Sequence, residues 1–246
     1  MTIALVVAHP DDECLWLSSV LAEADRVVLC FGDQYQRPKS SAARRQAVAA
    51  LDLPGLVDLK LPESGSGFAV DWADPQLTPA GIAITDPEGR ARYEANYTAL
   101  LTALRPRLAG CTEVYTHNPW GEYGHSEHIQ VHRAVAALQT ELGFTLGFSN
   151  YVAERTWPLA RRLAAMPLWT ARRAAPTDRP LARHLMRIYR RHGAWTWSLL
   201  HRWPAEETLY AAAPTGERHG FAGETLLDAV ALRWWPPWRR ARRTLI

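Results

Sequence analysis

Six consecutive apolar residues, Ile3-Ala4-Leu5-Val6-Val7-Ala8, run straight into His9-Pro10-Asp11-Asp12-Glu13. Nothing in the run alternates with a polar residue, so it predicts a strand buried on both faces. Such strands belong to parallel sheets covered by helices on either side. Residues 14–23 then read as a helix, with Leu15, Leu17, Val20 and Leu21 turned inward. The charged cluster therefore falls where a strand hands over to a helix, and in open α/β sheets ligands collect at the carboxyl ends of strands. Asp11 suits an N-cap, and Asp11, Asp12 and Glu13 all suit the positive end of a helix dipole. On that reading alone the cluster is ordinary capping with a histidine beside it; a metal site needs a further ligand.

A second strand-to-helix junction supplies one. Glu113-Val114-Tyr115-Thr116 predicts a short strand, and His117-Asn118-Pro119-Trp120-Gly121-Glu122-Tyr123-Gly124-His125-Ser126-Glu127-His128 follows it. A helix is expected over 129–142, with Val131, Val135, Ala136 and Leu138 available to pack. His125 and His128 stand three apart where this helix opens, so they share a face and can converge on one point. A catalytic zinc takes three protein N/O ligands and keeps one position for water. His9, Asp12 and one of the pair His125/His128 make such a set.

AHPDDE after the first strand, with GHSEH after a later one, resembles the zinc-dependent de-N-acetylases of the LmbE-like, or PIG-L, family, relatives of N-acetylglucosaminyl-phosphatidylinositol deacetylase. The resemblance covers about residues 2–152. It implies a Rossmann-like α/β fold, a mostly parallel sheet flanked by helices. By position it implies His9, Asp12 and His128 as metal ligands and Asp11 as general base. His125 becomes the general acid or the group that stabilises the oxyanion, and Tyr123 matches a tyrosine that assists the tetrahedral intermediate. Glu127 matches an acidic position that could orient His125, and Glu127 and Asp33 are the substrate-binding candidates. Asp33 follows the second strand, where the family lines its pocket; a turn residue is the plainer account. Glu13 is expected to bond backbone at the helix start. One family element is not reproduced: Arg44-Arg45-Gln46 lacks the glutamate of an Arg-x-x-Glu pattern whose arginine contacts substrate.

The implied reaction is removal of acetyl from an N-acetylated amino sugar or glycoconjugate of the N-acetylglucosamine type, small or lipid-linked, by metal-bound hydroxide attack on the amide. The residue types fit that chemistry. A bound zinc lowers the pKa of its water from ~16 to ~7. A carboxylate beside the water takes its proton, a histidine has the intrinsic pKa to protonate a leaving amine, and the metal and a nearby donor stabilise the oxyanion. Two nitrogens and a carboxylate also accept iron or another divalent ion. The alternatives are an amidase acting on a thiol or antibiotic conjugate, and a non-catalytic membrane-peripheral module that keeps the fold.

The remaining chain of 246 residues divides into a Rossmann-like catalytic core, 1–152, and an extension, 153–246, that completes the domain and is placed to contact substrate or membrane. Strands are expected over 26–31, 56–61 and 145–152, and helices over 41–51 and 90–104. Residues 63–86, rich in Gly, Pro and Asp and carrying Phe68 and Trp72, read as a long substrate-facing loop. His117 and Asn118 either line the site or cap a strand; His132, His184, His192, His201 and His219 receive no role. The opening residues lack a basic n-region, no apolar run reaches the ~20 residues of a membrane span, and Cys14, Cys30 and Cys111 suit neither disulfides nor zinc. A cytoplasmic chain is expected, with peripheral contact at the inner face of the membrane as an option.

That option comes from the extension, which holds eight of the 11 tryptophans and 17 arginines against seven acidic residues. As amphipathic helices over 159–174 and 181–200, this region would lie on an anionic membrane or hold an anionic carrier of the sugar. The plainer account puts the tryptophans in the core and the arginines on a solvated face, in a chain whose only lysines are Lys39 and Lys60. Trp234-Trp235-Pro236-Pro237-Trp238 is the strongest interfacial feature. No motif points to nucleic acid, and nothing sets the oligomeric state.

Overall fold

The computed structural model of the chain describes residues 1–164, 171–212, 226–229 and 243–245. The strands are β1 (Ile3–Val7), β2 (Arg26–Asp33), β3 (Leu56–Pro62), β4 (Leu77–Thr78), β5 (Gly81–Ile82), β6 (Glu113–Thr116), β7 (Thr145–Ser149), β8 (Tyr151–Val152), β9 (Ala171–Pro176), β10 (Glu206–Ala212), β11 (Leu226–Ala229) and β12 (Arg243–Leu245). The helices are α1 (Asp12–Trp16), α2 (Ser18–Leu21), α3 (Pro38–Ala49), α4 (Pro87–Leu108), α5 (Ser126–Leu142), α6 (Trp157–Ala164) and α7 (Arg179–Arg191), with a 3-10 turn at Glu154–Thr156.

Seven strands form the main sheet in the order β3-β2-β1-β6-β7-β10-β9. The first five are mutually parallel, and β10 and β9 are added antiparallel. The expected α/β architecture is therefore the observed one. Although β1 is apolar throughout, its side chains still alternate. Leu5 and Val7 pack on one face with Trp16, Leu29 and α7, while Ala4, Val6 and Ala8 pack on the other with Val28, Leu104 and Val135. An unbroken apolar run is what a strand with helices on both sides requires.

The chain moves outward from β1 through β2 to β3, then returns to the opposite side of β1 with β6. The crevice between the carboxyl ends of β1 and β6 is thus the topological switch point, where such sheets bind ligands. Both motifs emerge there.

Several elements differ from expectation. The single helix over 14–23 is broken at Leu17 (φ −142°, ψ 30°) into α1 and α2. The buried carboxylate of Glu207 on β10 accepts from the Ser18 hydroxyl (2.8 Å) and the Ser19 N–H (2.9 Å), so an anion from the far end of the chain sets the start of α2. The strand over 145–152 is also split: β7 stays in the main sheet, whereas β8 pairs with β11 in a three-stranded sheet. Asn118 marks the break by donating to the carbonyls of Ser149 (3.2 Å) and Tyr151 (2.8 Å).

The extension is less helical than its composition suggests. Residues 171–174 belong to β9, not to a helix running from 159, because Leu209, Tyr210 and Ala211 on β10 supply a partner edge. The helix expected over 181–200 ends at Arg191, and Gly193 continues the chain at φ 69°. The apolar side of α7, Ala182, Leu185 and Tyr189, is buried in the core beside α1, so that side faces protein and not lipid. Among the described residues no helix is long and apolar enough to cross a membrane. Trp234, Trp235 and Trp238 lie outside the described residues.

Candidate active site

The backbone after β1 turns sharply. Asp11 adopts φ 101°, ψ −20° at the N-cap position of α1, a left-handed conformation that costs a non-glycine residue about 1–3 kcal/mol. Its side chain does not cap the helix. One carboxylate oxygen, Oδ2, instead accepts from the backbone N–H (3.1 Å) and hydroxyl (2.8 Å) of Thr196. The Asp11 N–H is taken by Glu13 Oε2 at 3.1 Å, so Glu13 does bond backbone at the helix start. This kink sends two adjacent carboxylates in different directions, Asp11 toward Thr196 and Asp12 toward the histidines.

Asp12 Oδ2 accepts from the His9 N–H (2.8 Å), stands 3.1 Å from His9 Nδ1, and lies 3.2 Å from His128 Nε2. Its other oxygen accepts from Trp16 Nε1 at 2.9 Å. The remaining nitrogen of each histidine is held by a buried glutamate. His9 Nε2 meets Glu127 Oε2 at 2.9 Å, and His128 Nδ1 meets Glu122 Oε2 at 2.7 Å. Carboxylates placed behind histidines in this way fix which nitrogen faces a metal.

The charges reflect this packing. Burial lowers the pKa of His9, but Asp12 and Glu127 outweigh it and carry it up to about 9. Burial also raises Glu122, yet His117 and His128 pull it down to about 2. Asp11 is lifted to about 7 by burial and by the charge of Asp12, with Thr196 restraining the rise. His125 is held well below the usual imidazole range by burial and then by His9 and His128, and so is neutral.

Three overlapping groups of side chains bring donor atoms within 4.8 Å of one another: His9, His125 and His128; Asp12, His117 and His128; and His9, Glu63 and Glu127. The nitrogen of His128 facing Asp12 is buried and has no hydrogen-bond partner. Burial lowers the His128 pKa and Asp12 more than offsets it; a proton on Nε2, or a cation in its place, bridges the 3.2 Å to Asp12 Oδ2. His9, Asp12 and His128 carry donor types that a divalent ion takes; the clustered sets join His128 with His9 and His125 or with Asp12 and His117, and His125 Nδ1 is a second buried nitrogen without a hydrogen bond. His117 is otherwise engaged: its Nε2 accepts from the Ala8 N–H at 2.8 Å, and its ring stacks on His128 with centroids 3.8 Å apart. It braces the site, and His132 Nδ1 in turn lies 2.7 Å from the His117 carbonyl oxygen.

His125 stands at the N-cap position of α5, its ring 4.6 Å from His9 and 5.3 Å from Phe68, centroid to centroid. The loop over 63–86 reaches the site here. A Cβ built on Gly67 would sit 2.7 Å from His125 Nε2, so glycine is what admits the ring. Tyr123 packs between Trp16 (5.6 Å), His128 (5.2 Å) and Trp197 (4.9 Å).

Both substrate-binding candidates have partners within the protein. Glu127 is fully buried, faces His9, and lies 3.9 Å from His125 Nδ1; its other oxygen accepts from the Ser64 N–H (2.6 Å) and hydroxyl (2.7 Å). Both of its oxygens are engaged inside the protein. Asp33 pairs with Arg45 at a half-exposed edge. The glutamate absent from the Arg-x-x-Glu pattern is replaced in space by Glu63, whose carboxylate accepts from Arg44 Nη1 at 2.5 Å and lies 3.7 Å from His9 Nε2. Sequence reasoning also gave no role to Glu122 and Thr196. Glu122 stands six residues before His128, a usable cue once a buried histidine pair needs a carboxylate; Thr196 carries no local signal.

No family model matches the chain. A curated relative, the 1D-myo-inositol 2-acetamido-2-deoxy-alpha-D-glucopyranoside deacetylase of Mycolicibacterium smegmatis, is 29% identical over 177 residues, 58% of this chain and 56% of that protein. The chain thus spans about half the length of the curated relative it matches. Among solved structures, a teicoplanin-biosynthesis deacetylase in complex with teicoplanin superposes with a TM-score of 0.57 at 12% identity, covering 88% of this chain and all of that one. The deacetylase of the A40926 pseudoaglycone gives 0.50 at 16% identity, covering 88% and 99%. At these identities the solved structures establish a shared fold.

Proposed function

We propose that this chain, of the LmbE-like (PIG-L) type by its motifs, its fold and its curated relative, is a metal-dependent hydrolase that removes acetyl from an N-acetylated amino sugar or glycoconjugate. The observation that carries the proposal is the buried cluster in which the Nε2 of His128 stands 3.2 Å from Asp12 beside His9, within sets of donor atoms close enough to share an ion. These three residues would hold the ion, zinc in the first instance. When bound it supplies a Lewis acid and an acidified water.

The protein's own groups would divide the rest of the work. Asp11, adjacent in the chain to Asp12 and held by Thr196, is suited to take a proton from the attacking water and to return it to the departing amine as the C–N bond breaks. Acetate and a free amine are the products, and the water consumed balances both. His125, its ring 4.6 Å from that of His9, would serve as general acid to the departing amine or as hydrogen-bond donor to the oxyanion. Tyr123, against His128, stands ready to assist it. The sugar class rests on the curated relative, whose substrate is a 2-acetamido-2-deoxy sugar; the solved structures support the fold alone.

The test is acetate release from a panel of N-acetylglucosamine conjugates, inositol-, lipid- and nucleotide-linked, with the protein zinc-loaded and again after chelation. Release that vanishes on chelation and returns with zinc is expected. Zinc bound without release from any N-acetyl conjugate would overturn the proposal in favour of a non-catalytic module.

A further inference from the structure

The segment between α7 and β10 lies across the site. Ala194 N–H donates to the Tyr189 carbonyl at 2.8 Å, and Trp203 Nε1 donates to the Cys14 carbonyl at 2.5 Å. Between those anchors the Trp197 ring meets Trp16 (5.1 Å) and Tyr123 (4.9 Å), and its Nε1 donates to His201 Nδ1 at 3.1 Å. The helix gripped by these contacts is α1, the one that carries Asp12 and Trp16. At the middle of the segment, Thr196 directs both its N–H and its hydroxyl at a single oxygen of Asp11, 185 positions earlier in the chain.

We infer that Thr196 is a positioning residue for Asp11, an inference that rests on the proposed hydrolase reading. Two donors on Oδ2 fix the plane of the carboxylate and leave Oδ1, which no hydrogen bond from a described residue reaches, as the oxygen turned to the reacting water. The left-handed backbone at Asp11 gives up the usual capping bond of an N-cap aspartate, and Thr196 is the partner gained in its place. The segment thereby makes the extension part of the catalytic apparatus. Positioning a base changes the rate of the chemical step, since a misplaced proton acceptor lowers kcat without touching substrate affinity.

Thr196→Val keeps the branched shape and the N–H but removes the hydroxyl; Thr196→Ser keeps both donors. Full-length zinc-loaded proteins would be compared for kcat, KM, zinc content and melting temperature on whichever conjugate the parent hydrolyses. The expected result for Thr196→Val is a fall in kcat of about tenfold, the loss of one hydrogen bond to a charged group, with KM and zinc content held. Thr196→Ser should recover most of the rate. An unchanged kcat, an effect confined to KM, or a serine variant as slow as the valine variant overturns the inference while leaving the hydrolase reading standing. Should Thr196→Val not fold, Thr196→Ala removes the same hydroxyl and is read in the same way. A parent that releases no acetate sinks the hydrolase reading instead. Crystal structures of parent and variant then read the orientation of the Asp11 carboxylate directly, and one that is unmoved without the hydroxyl overturns the positioning role.

Discussion

Replacing Glu122 by glutamine tests the site from behind. Glu122 is fully buried, and one oxygen, Oε2, serves two histidines, His128 Nδ1 at 2.7 Å and His117 Nδ1 at 3.2 Å, while the other accepts from the Asn118 N–H at 2.9 Å. Glutamine preserves the volume and one acceptor oxygen, but it presents an amide in place of either the oxygen facing the histidines or the one facing Asn118. What is lost is a charge-assisted hydrogen bond of about 1.5–3 kcal/mol. The same charge favours the tautomer that leaves the His128 Nε2 lone pair free, so the loss falls on metal affinity and corresponds to roughly 10- to 100-fold weaker binding. Competition against a fluorescent zinc chelator, with circular dichroism to establish the fold, measures this. Zinc affinity within twofold of the parent in a folded Glu122→Gln protein would refute the view that this carboxylate sets the ligand.

Three other perturbations address the site's remaining parts. His128→Ala should abolish stoichiometric zinc, read by elemental analysis after dialysis; full occupancy would remove His128 from the ligand set. Asp11→Asn should keep its zinc and slow turnover by ~10²–10⁴, the span of a lost acid or base, and near-parental acetate release would exclude Asp11 as the base. Gly67→Ala places a Cβ 2.7 Å from His125 Nε2, so the ring must shift; kcat should fall with zinc content retained, and an unaffected kcat would mean that His125 is not needed where it stands.

The sheet and its switch point were legible because their signals are local. The unbroken run of β1 and the polar residues just past β1 and β6 state the layer arrangement and the place of the site without help from distant residues. The failures share a different cause. Leu17 reads as helix interior, yet Glu207 breaks the helix there from 190 positions away. Residues 171–174 acquire a strand only because β10 offers them an edge. Glu127 and Glu122 look alike as loop acids near a histidine, and only packing assigns one to His9 and the other to His128. Long-range partners of this kind leave no period or spacing in the sequence.

The antiparallel addition of β10 beside β7 also constrains how this protein can be subdivided. A fragment ending at Val152 would contain both histidine motifs and yet expose the whole flank of β7 as an unpaired edge, a template for self-association. It would also surrender Glu207, which receives the Ser18 hydroxyl, the Ser19 N–H and the Tyr151 hydroxyl. Expression boundaries drawn around the motif-bearing half of the chain should therefore yield insoluble material, and split or circularly permuted versions must keep residues 171–212 attached to the strands they close.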